Sequence, residues 1–452
     1  MQKNDILELN ITGMTSEGNG VGKHETMVVF VPLSAVGDKL RVKIVKVQKT
    51  FAYGIIEKII EPSQDRIESD CPVFGKCGGC TFRHINYNSE LEIKNTFIKD
   101  AFKRIGGINT EIEEIIPCEN IDYYRNKAQY PVVNQDGKVV CGFYAQRSHR
   151  VIPFSSCKLQ PVIFAEIVDD VVNYVNENNI KAYNESDGSG ILRHIYIRKG
   201  QYSNEIMLCL VVTQKKSVEK FKSLFAKLLE KYPDIKSIVL NVNKKNTNVI
   251  LGEKTHYIHG ERCISDLMCG NKVLINPLSF YQVNTKQAER LYNTAKEYLQ
   301  LGKDDFLLDL YCGTGTIGLS MAKDVRKMIG VEIVKEAIDD AVINAEANNI
   351  SNAEFICGDA GEISLKLNEN NQKPDALIID PPRKGCETST LEAIIKMSPK
   401  KIAMISCNPA TAARDCKILC ENGYEVKRIR GCDLFARTGH VETVVLMTRV
   451  EK

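Results

Sequence analysis

Three changes of pattern along this 452-residue chain predict a multidomain fold. The expected parts are a small N-terminal β-barrel, a mixed α+β central domain, and a C-terminal α/β domain built on a parallel sheet. The first signal is the alternation of Lys39, Arg41 and Lys43 with Leu40, Val42 and Ile44. The second is the cysteine-dense stretch CPVFGKCGGC at 71–80. The third is a regular succession of helices and strands from about residue 267, in which several strands end on a polar side chain. These place the parts at 1–60, 61–266 and 267–452.

Length supports the division, because a single hydrophobic core stops growing at roughly 250–300 residues. With 43% hydrophobic and 26% charged residues the composition is that of a folded soluble chain. The opening Met1-Gln2-Lys3-Asn4-Asp5 does not read as a secretory signal, and no apolar run reaches bilayer length. A cytoplasmic protein with no membrane partner is therefore expected, and a monomer, since no obligate protein partner is evident. Sixteen cysteines in a reducing compartment should be thiols, so clustered ones point to metal or catalysis. The net charge of +3 gives a weak overall field, so a nucleic-acid partner would be held by local basic patches.

In the N-terminal part, the alternation at 39–44 puts apolar and basic side chains on opposite faces of one strand, and Lys46, Lys49, Phe51 and Tyr53 extend the basic and aromatic character. Such a surface suits single-stranded RNA; a solvated strand face has the same pattern. After a polar connector, Cys71, Cys77 and Cys80 form a C-x5-C-x2-C array. Three thiolates gathered on one centre need a fourth ligand, for which Cys118, Cys141 and Cys157 are the candidates. By spacing alone, zinc and an iron–sulfur cluster are equally served. A full set of four protein ligands would make a cluster structural, since radical chemistry needs an iron with an open position.

Residues 89–116 read as largely helical, from the apolar face Leu91, Ile93, Phe97, Ile98, Ala101 and Phe102. Arg125, Asn126, Lys127 and Gln129 could contact RNA or hold the domain together as loop residues. Strands are expected within 191–200 and over 205–213, with a helix over 217–231.

In the C-terminal part, Gln282 and Asn284 stand at the start of a helix, and DLYCGTGTIGL (309–319) reads as strand, Gly-rich turn and helix start. Glu332, Asp359 and Asp380 end the next three strands. The turn lacks the dinucleotide fingerprint, which favours S-adenosylmethionine over NAD, with Glu332 near ribose and Asp359 near adenine. The run Ile402–Ile405 stops at Ser406-Cys407-Asn408-Pro409, and Asp380 opens DPPRKG, so an aspartate and a cysteine reach one rim. An exocyclic amine can accept a methyl group without covalent help, and Asp-Pro-Pro suits that chemistry too. Carbon 5 of uracil needs a thiolate added at carbon 6 and a base to remove the carbon-5 proton. Cys407 fits the first task and Glu442, beside His440, the second. Taken singly, Cys407 is equally a buried strand-end thiol and Glu442 a strand residue.

Together these motifs resemble the S-adenosylmethionine-dependent RNA uracil-5-methyltransferases, and within them the 23S ribosomal RNA branch. The resemblance runs through the Gly18–Gly22, Val31-Pro32 and Gly37-Asp38 pattern of a TRAM domain (an OB-like RNA-binding barrel), the cysteine array, FYQVN, DLYCGTG, DPPRKG, SCNP and HVE. It implies a Rossmann-like catalytic domain, Cys407 as nucleophile and Glu442 as proton acceptor. Gln282, Tyr311, Glu332 and Asp380 resemble S-adenosylmethionine-binding positions, with Asp380 also near the target base. Cys71, Cys77, Cys80 and Cys157 resemble the ligands of a [4Fe-4S] cluster. The transfer-RNA branch is expected to lack barrel and cluster, so 23S rRNA is the implied partner, with tRNA as the alternative. Ala436-Arg437 stand where relatives often carry Pro, and Thr316 where some carry Asn. A non-catalytic RNA-binding factor with a vestigial pocket is the reading from another class, opposed by the polar strand ends.

Overall fold

The computed structural model describes residues 1–450. Five strands, Ile6–Met14, Asn19–His24, Met27–Pro32, Lys39–Val47 and Phe51–Glu61, close into a barrel. The alternation at 39–44 does what its period requires: Leu40, Val42 and Ile44 are fully buried with Val29 and Val31, while Arg41 and Lys43 face solvent. Buried Asp38 ties the barrel to the connector, accepting from Ser63 N at 2.9 Å and from Arg66 Nε at 2.7 Å.

A second sheet of seven strands runs in the order Lys254–Gly260, Ile235–Val242, Ile206–Val212, Leu192–Lys199, Lys127–Gln135, Lys138–Tyr144 and Val151–Pro153. Helices Val162–Glu177 and Lys222–Lys231 bury one of its faces through Phe164, Ile167, Val171, Leu224 and Leu228. Tyr196, Met207, Cys209 and Val211, on the opposite face, belong to one hydrophobic core with residues of the C-terminal part such as Leu291 and Tyr292. Tyr196 Oη donates to Pro277 O at 3.0 Å, and Arg198 Nη2 to Ser279 O at 2.6 Å. The central sheet thus holds the segment that leads into Gln282.

The C-terminal sheet contains β1 (Phe306–Leu310), β2 (Lys327–Glu332), β3 (Ala353–Cys357), β4 (Ala376–Ile379), β5 (Lys401–Ser406), β6 (Tyr424–Cys432) and β7 (Glu442–Arg449). They lie in the order β3-β2-β1-β4-β5-β7-β6, all parallel except β7. The order reverses between β1 and β4, which opens a crevice at their carboxyl ends. Residues 89–116 differ from the helical expectation. The helix Tyr87–Ala101 ends in a widened turn, Phe102–Gly106, and Gly107 takes a left-handed φ of 65°. Ile112–Ile116 then forms a strand that pairs parallel with β6 and extends the C-terminal sheet. Among the described residues no helix is long and apolar enough to cross a membrane.

Candidate active site

The carboxyl ends of β1, β2, β4 and β5 and the amino end of β7 meet at one rim. Beyond β1 the chain turns sharply: Tyr311 sits at φ 64°, a strained setting for a tyrosine, and Gly315 at φ 79° precedes the helix Thr316–Ala322. The phenol of Tyr311 donates to Thr390 Oγ1 at 3.2 Å. The turn is pinned from below by Asp309, fully buried in β1, whose Oδ2 accepts from Gly318 N at 2.9 Å. A Cβ on Gly318 would lie 2.0 Å from Met328 Cε and 2.7 Å from Asp309 Oδ2, so a larger residue there would have to displace both side chains. Burial, with Asp380 and Glu332 nearby, pushes the Asp309 carboxyl up to about 8 against the pull of that hydrogen bond. Sequence reasoning passed over Asp309; its signal was the acid opening DLYCGTG.

Glu332, the last residue of β2, bridges two loops: one carboxylate oxygen accepts from Gly313 N at 3.2 Å and the other from Val334 N at 3.0 Å. Asp359 lies two residues beyond β3 and caps the helix Ala360–Glu369, Oδ1 accepting from Gly361 N and Glu362 N. Gln282 and Thr316 both reach the buried phenol of Tyr292, which in turn senses Asp380. Asn284 caps the helix Thr285–Leu299. Asn126 holds the structure together: it is buried and its amide donates to Gln282 O at 2.8 Å and Thr285 Oγ1 at 3.0 Å. Arg125, Lys127 and Gln129 are half-buried beside it. Burial, Arg198 and Arg125 pull Lys127 down to about 8, and among the described residues no carboxylate pairs with it.

Strands β5 and β7 are antiparallel, with Ser406 opposite Thr443 as the last pair. Cys407 and Glu442 are the next residues beyond that pair, one just past the end of β5 and the other opening β7, and Glu442 lies close enough to act on the Cys407 thiol. Cys407 also precedes Asn408, the cap of helix Pro409–Glu421, whose side-chain amide donates to Arg383 O at 3.1 Å and so ties SCNP to DPPRKG. Four groups act on one another here. Burial and the neighbouring Glu442 push the Cys407 thiol up to about 11, Arg383 opposing and Asp380 adding. Burial and Asp380 push Glu442 up to about 8, again against Arg383. Burial raises Asp380 to about 7.

The loop between β6 and β7 delivers Glu442 and is held by a buried ionic network. Lys94 Nζ donates to Glu90 and to Asp433, each at 2.7 Å, and to Phe435 O at 3.2 Å. Tyr87 Oη donates to the other Asp433 oxygen at 2.7 Å, and Arg437 N to Glu90 at 2.7 Å. Arg437 has φ 69°, a backbone setting closed to proline. Its carbonyl accepts from Thr81 and Phe82, directly after the cysteine array.

Cys71, Cys77, Cys80 and Cys157 are free, half-buried thiols. Cys77 senses Cys71; Cys80 senses Cys157 and Cys77; Cys157 senses Cys77 and Cys71. Cys118 instead accepts a hydrogen bond from Asn284 and donates one to Asn120 O, and Cys141 is buried in the core of the central sheet. Gly79 N donates to Cys77 Sγ at 3.3 Å, and Arg83 lies against Cys80. Among the described residues no three His, Cys, Asp or Glu side chains are gathered into a site for a single metal ion.

The chain matches two family models: the one described as tRNA (Uracil-5-)-methyltransferase over residues 86–450, and the TRAM domain over residues 2–56. An uncharacterized RNA methyltransferase of Clostridium tetani is 43% identical, covering 99% of this chain and 97% of that protein. Another from Bacillus cereus is 40% identical over 100% of this chain and 98% of its own length. Among solved structures, the Pyrococcus abyssi tRNA (uracil-54, C5)-methyltransferase in complex with S-adenosyl-L-homocysteine superposes with a TM-score of 0.77 at 26% identity, covering 98% of this chain and 100% of that one. That coverage removes the expectation that a transfer-RNA enzyme would lack the barrel. The five-stranded barrel is a TRAM domain, and the chain belongs to the tRNA (uracil-5-)-methyltransferase family of RNA methyltransferases.

Proposed function

We propose that this protein transfers a methyl group from S-adenosylmethionine to carbon 5 of a uridine in 23S rRNA, with Cys407 as nucleophile and Glu442 as base. The observation that supports the reading is the pairing of Ser406 with Thr443, which brings the ends of β5 and β7 that carry Cys407 and Glu442 to the rim where Asp380 and Arg383 act on both. In this reading the target base is flipped out of its stack into the rim. The Cys407 thiolate bonds to carbon 6, and the electron pair of the 5,6 double bond moves through carbon 5 onto the carbonyl oxygen at carbon 4. The enolate pair, returning to carbon 5, would take the donor's methyl group as the methyl–sulfur bond breaks, its electrons staying on sulfur and leaving S-adenosylhomocysteine. Glu442 removes the carbon-5 proton, the double bond re-forms and the carbon–sulfur bond breaks, returning the thiolate. Gln282, Tyr311, Glu332, Asp359 and Asp380 are assigned to the donor, which supplies an electrophilic methyl and a positive sulfonium that would lower the raised acids of the rim. Arg383 steadies the thiolate, and Arg125 and Lys127 offer unneutralised charge for RNA phosphates.

We assign Cys71, Cys77, Cys80 and Cys157 to a [4Fe-4S] cluster with a structural role. The donor set supports it: all four are free, half-buried thiols, Cys77, Cys80 and Cys157 each lie close enough to others of the set to be raised by them, and Gly79 N is directed at Cys77 Sγ. Iron and acid-labile sulfide in anaerobically purified protein would support the assignment; zinc without sulfide would replace it.

The decisive experiment incubates protein and donor with RNA containing 5-fluorouridine. Fluorine at carbon 5 cannot leave as a proton, so a covalent adduct on Cys407 is expected. Absence of any adduct on an RNA that is otherwise methylated would favour an exocyclic amine as acceptor. The likeness to the Pyrococcus tRNA enzyme favours a second reading, tRNA as substrate. Running 23S rRNA and tRNA transcripts side by side decides between them.

A further inference from the structure

A cavity of about 330 Å³ opens on the central sheet, and none of its lining residues belongs to the catalytic rim. It forms where the sheet is irregular. The pairing of Leu192–Lys199 with Ile206–Val212 slips between Leu192 and His194, leaving Arg193 as an extra residue. On the other side, pairing with Lys127–Gln135 stops at His194 opposite Pro131, which has no N–H to continue the ladder. Such a bulge bends the strand and re-aims its side chain.

Here the re-aimed side chain is a guanidinium. Arg193 is 3% exposed, yet among the described residues no carboxylate lies within ion-pair distance of it. Nη1 donates to the carbonyls of Asn243 at 3.0 Å and Lys245 at 2.7 Å, and buried Nε has no partner. A charge this deep normally meets an anion, and Nε has no partner within the protein. The guanidinium lies over the Tyr183 ring, 4.4 Å from its centre. Tyr144 and His149, with ring centres 5.7 Å apart, also line the cavity, and Asn134 and Glu185 supply polar groups at its wall. Glu185 is turned to His149, 3.5 Å away. The wall also joins the parts expected to meet RNA. Gly78, inside the cysteine array, donates to Tyr144 O at 2.9 Å, and Arg147 pairs with Glu17 of the barrel at 2.6 Å.

Aromatic faces beside an unmatched arginine are how proteins hold an unstacked nucleotide. We propose that this cavity receives one unstacked nucleotide of the bound RNA, other than the methylated uridine, with its base against Tyr183, Tyr144 and His149 and its phosphate on Arg193. The inference rests on RNA being the substrate and not on which atom is methylated.

Calorimetry of the intact protein, with S-adenosylhomocysteine filling the donor pocket, tests it with two probes, GMP and inorganic phosphate. Arg193→Met should weaken both. Tyr183→Ala and His149→Ala should weaken GMP about tenfold, the scale of one stacked ring, and leave phosphate unchanged. Because His149 is exposed, that variant keeps the test open even if Arg193→Met does not fold. Bulk ribosomal and transfer RNA should displace GMP. No GMP binding to the wild-type protein, or unaltered binding by Tyr183→Ala and His149→Ala, would overturn the proposal. GMP that stays bound in the RNA complex would also overturn it, by making the cavity a site for free nucleotides. A missing fluorouridine adduct with normal GMP binding would count against the carbon-5 reaction alone.

Discussion

Cys407 and Glu442 show how strand pairing brings together two residues that are ordinary when taken singly, and the proposed reaction rests on that meeting. Either alone reads as a strand-end thiol or a strand carboxylate; pairing of Ser406 with Thr443 makes them neighbours. Replacing Glu442 with Gln should let methyl transfer proceed and block elimination. Turnover should fall about 10²–10⁴-fold, the usual size of a missing general base. A methylated RNA–protein adduct stable to denaturing electrophoresis should build up, and free turnover would remove Glu442 from the role. A second prediction concerns Asp309, whose folded-state value of about 8 exceeds that of an unfolded aspartate. The native state therefore keeps a proton the unfolded chain releases, so stability from this group is full below about pH 4 and is lost as pH rises through about 8. Asp309→Asn imitates the protonated form, and its melting temperature relative to wild type should climb from pH 5 to pH 8; a constant difference would contradict the shift. The strand-end placement of Glu332, Asp380 and Cys407 was legible in the sequence, because each ends an apolar run. Asp309 was not, because its environment depends on Gly318 and Met328 packing around it. Asn126 has two readings in the sequence, and only burial decides for the structural one.

Among the elements, helix Tyr87–Ala101 has a task its amphipathic pattern did not announce. Its buried Glu90 and Lys94 clamp Asp433, Phe435 and Arg437 in the loop leading to Glu442. Lys94→Met leaves buried Asp433 without its cation and Glu90 with only Arg437, 3.6 Å away, which should cost about 3–5 kcal/mol in chemical denaturation. Any protein that folds should show slower release of the RNA adduct than wild type, since the loop that carries the base no longer has its clamp. Unchanged stability would mean that the network is not closed in solution. Sequence periodicity locates the helix but carries it on through 112–116. Gly106-Gly107 was the available stop signal. Pairing with β6 was not legible, because the partner is distant: Glu113 meets Arg428, 315 residues away, at 2.5 Å. Short strands are specified by such partners more than by local preference.

For the whole molecule, the order of barrel, mixed sheet and parallel sheet was legible because each has its own period. The choice between ribosomal and transfer RNA was not, because the Pyrococcus tRNA enzyme spans the same length. Both substrates demand a surface that binds RNA away from the reaction, and the barrel offers one. Arg41 and Lys43 are exposed on the face opposite its core. Phe30, Phe51 and Tyr53 form a cluster of half-buried rings 5.6–5.7 Å apart, with Lys46 paired across from Tyr53. Charge and stacking leave different thermodynamic marks, so the two can be separated. Arg41→Glu with Lys43→Glu should weaken single-stranded RNA binding and flatten the slope of log K against log salt by about 0.7 for each phosphate no longer neutralised. Tyr53→Ala should cost about 1–3 kcal/mol of affinity at every salt concentration and leave the slope as it was. Fluorescence anisotropy across a salt series reads both. Neither change touches the rim, so the rate of adduct formation at saturating RNA should match wild type. A fall in that rate would mean that the barrel positions the target base as well as retaining the RNA.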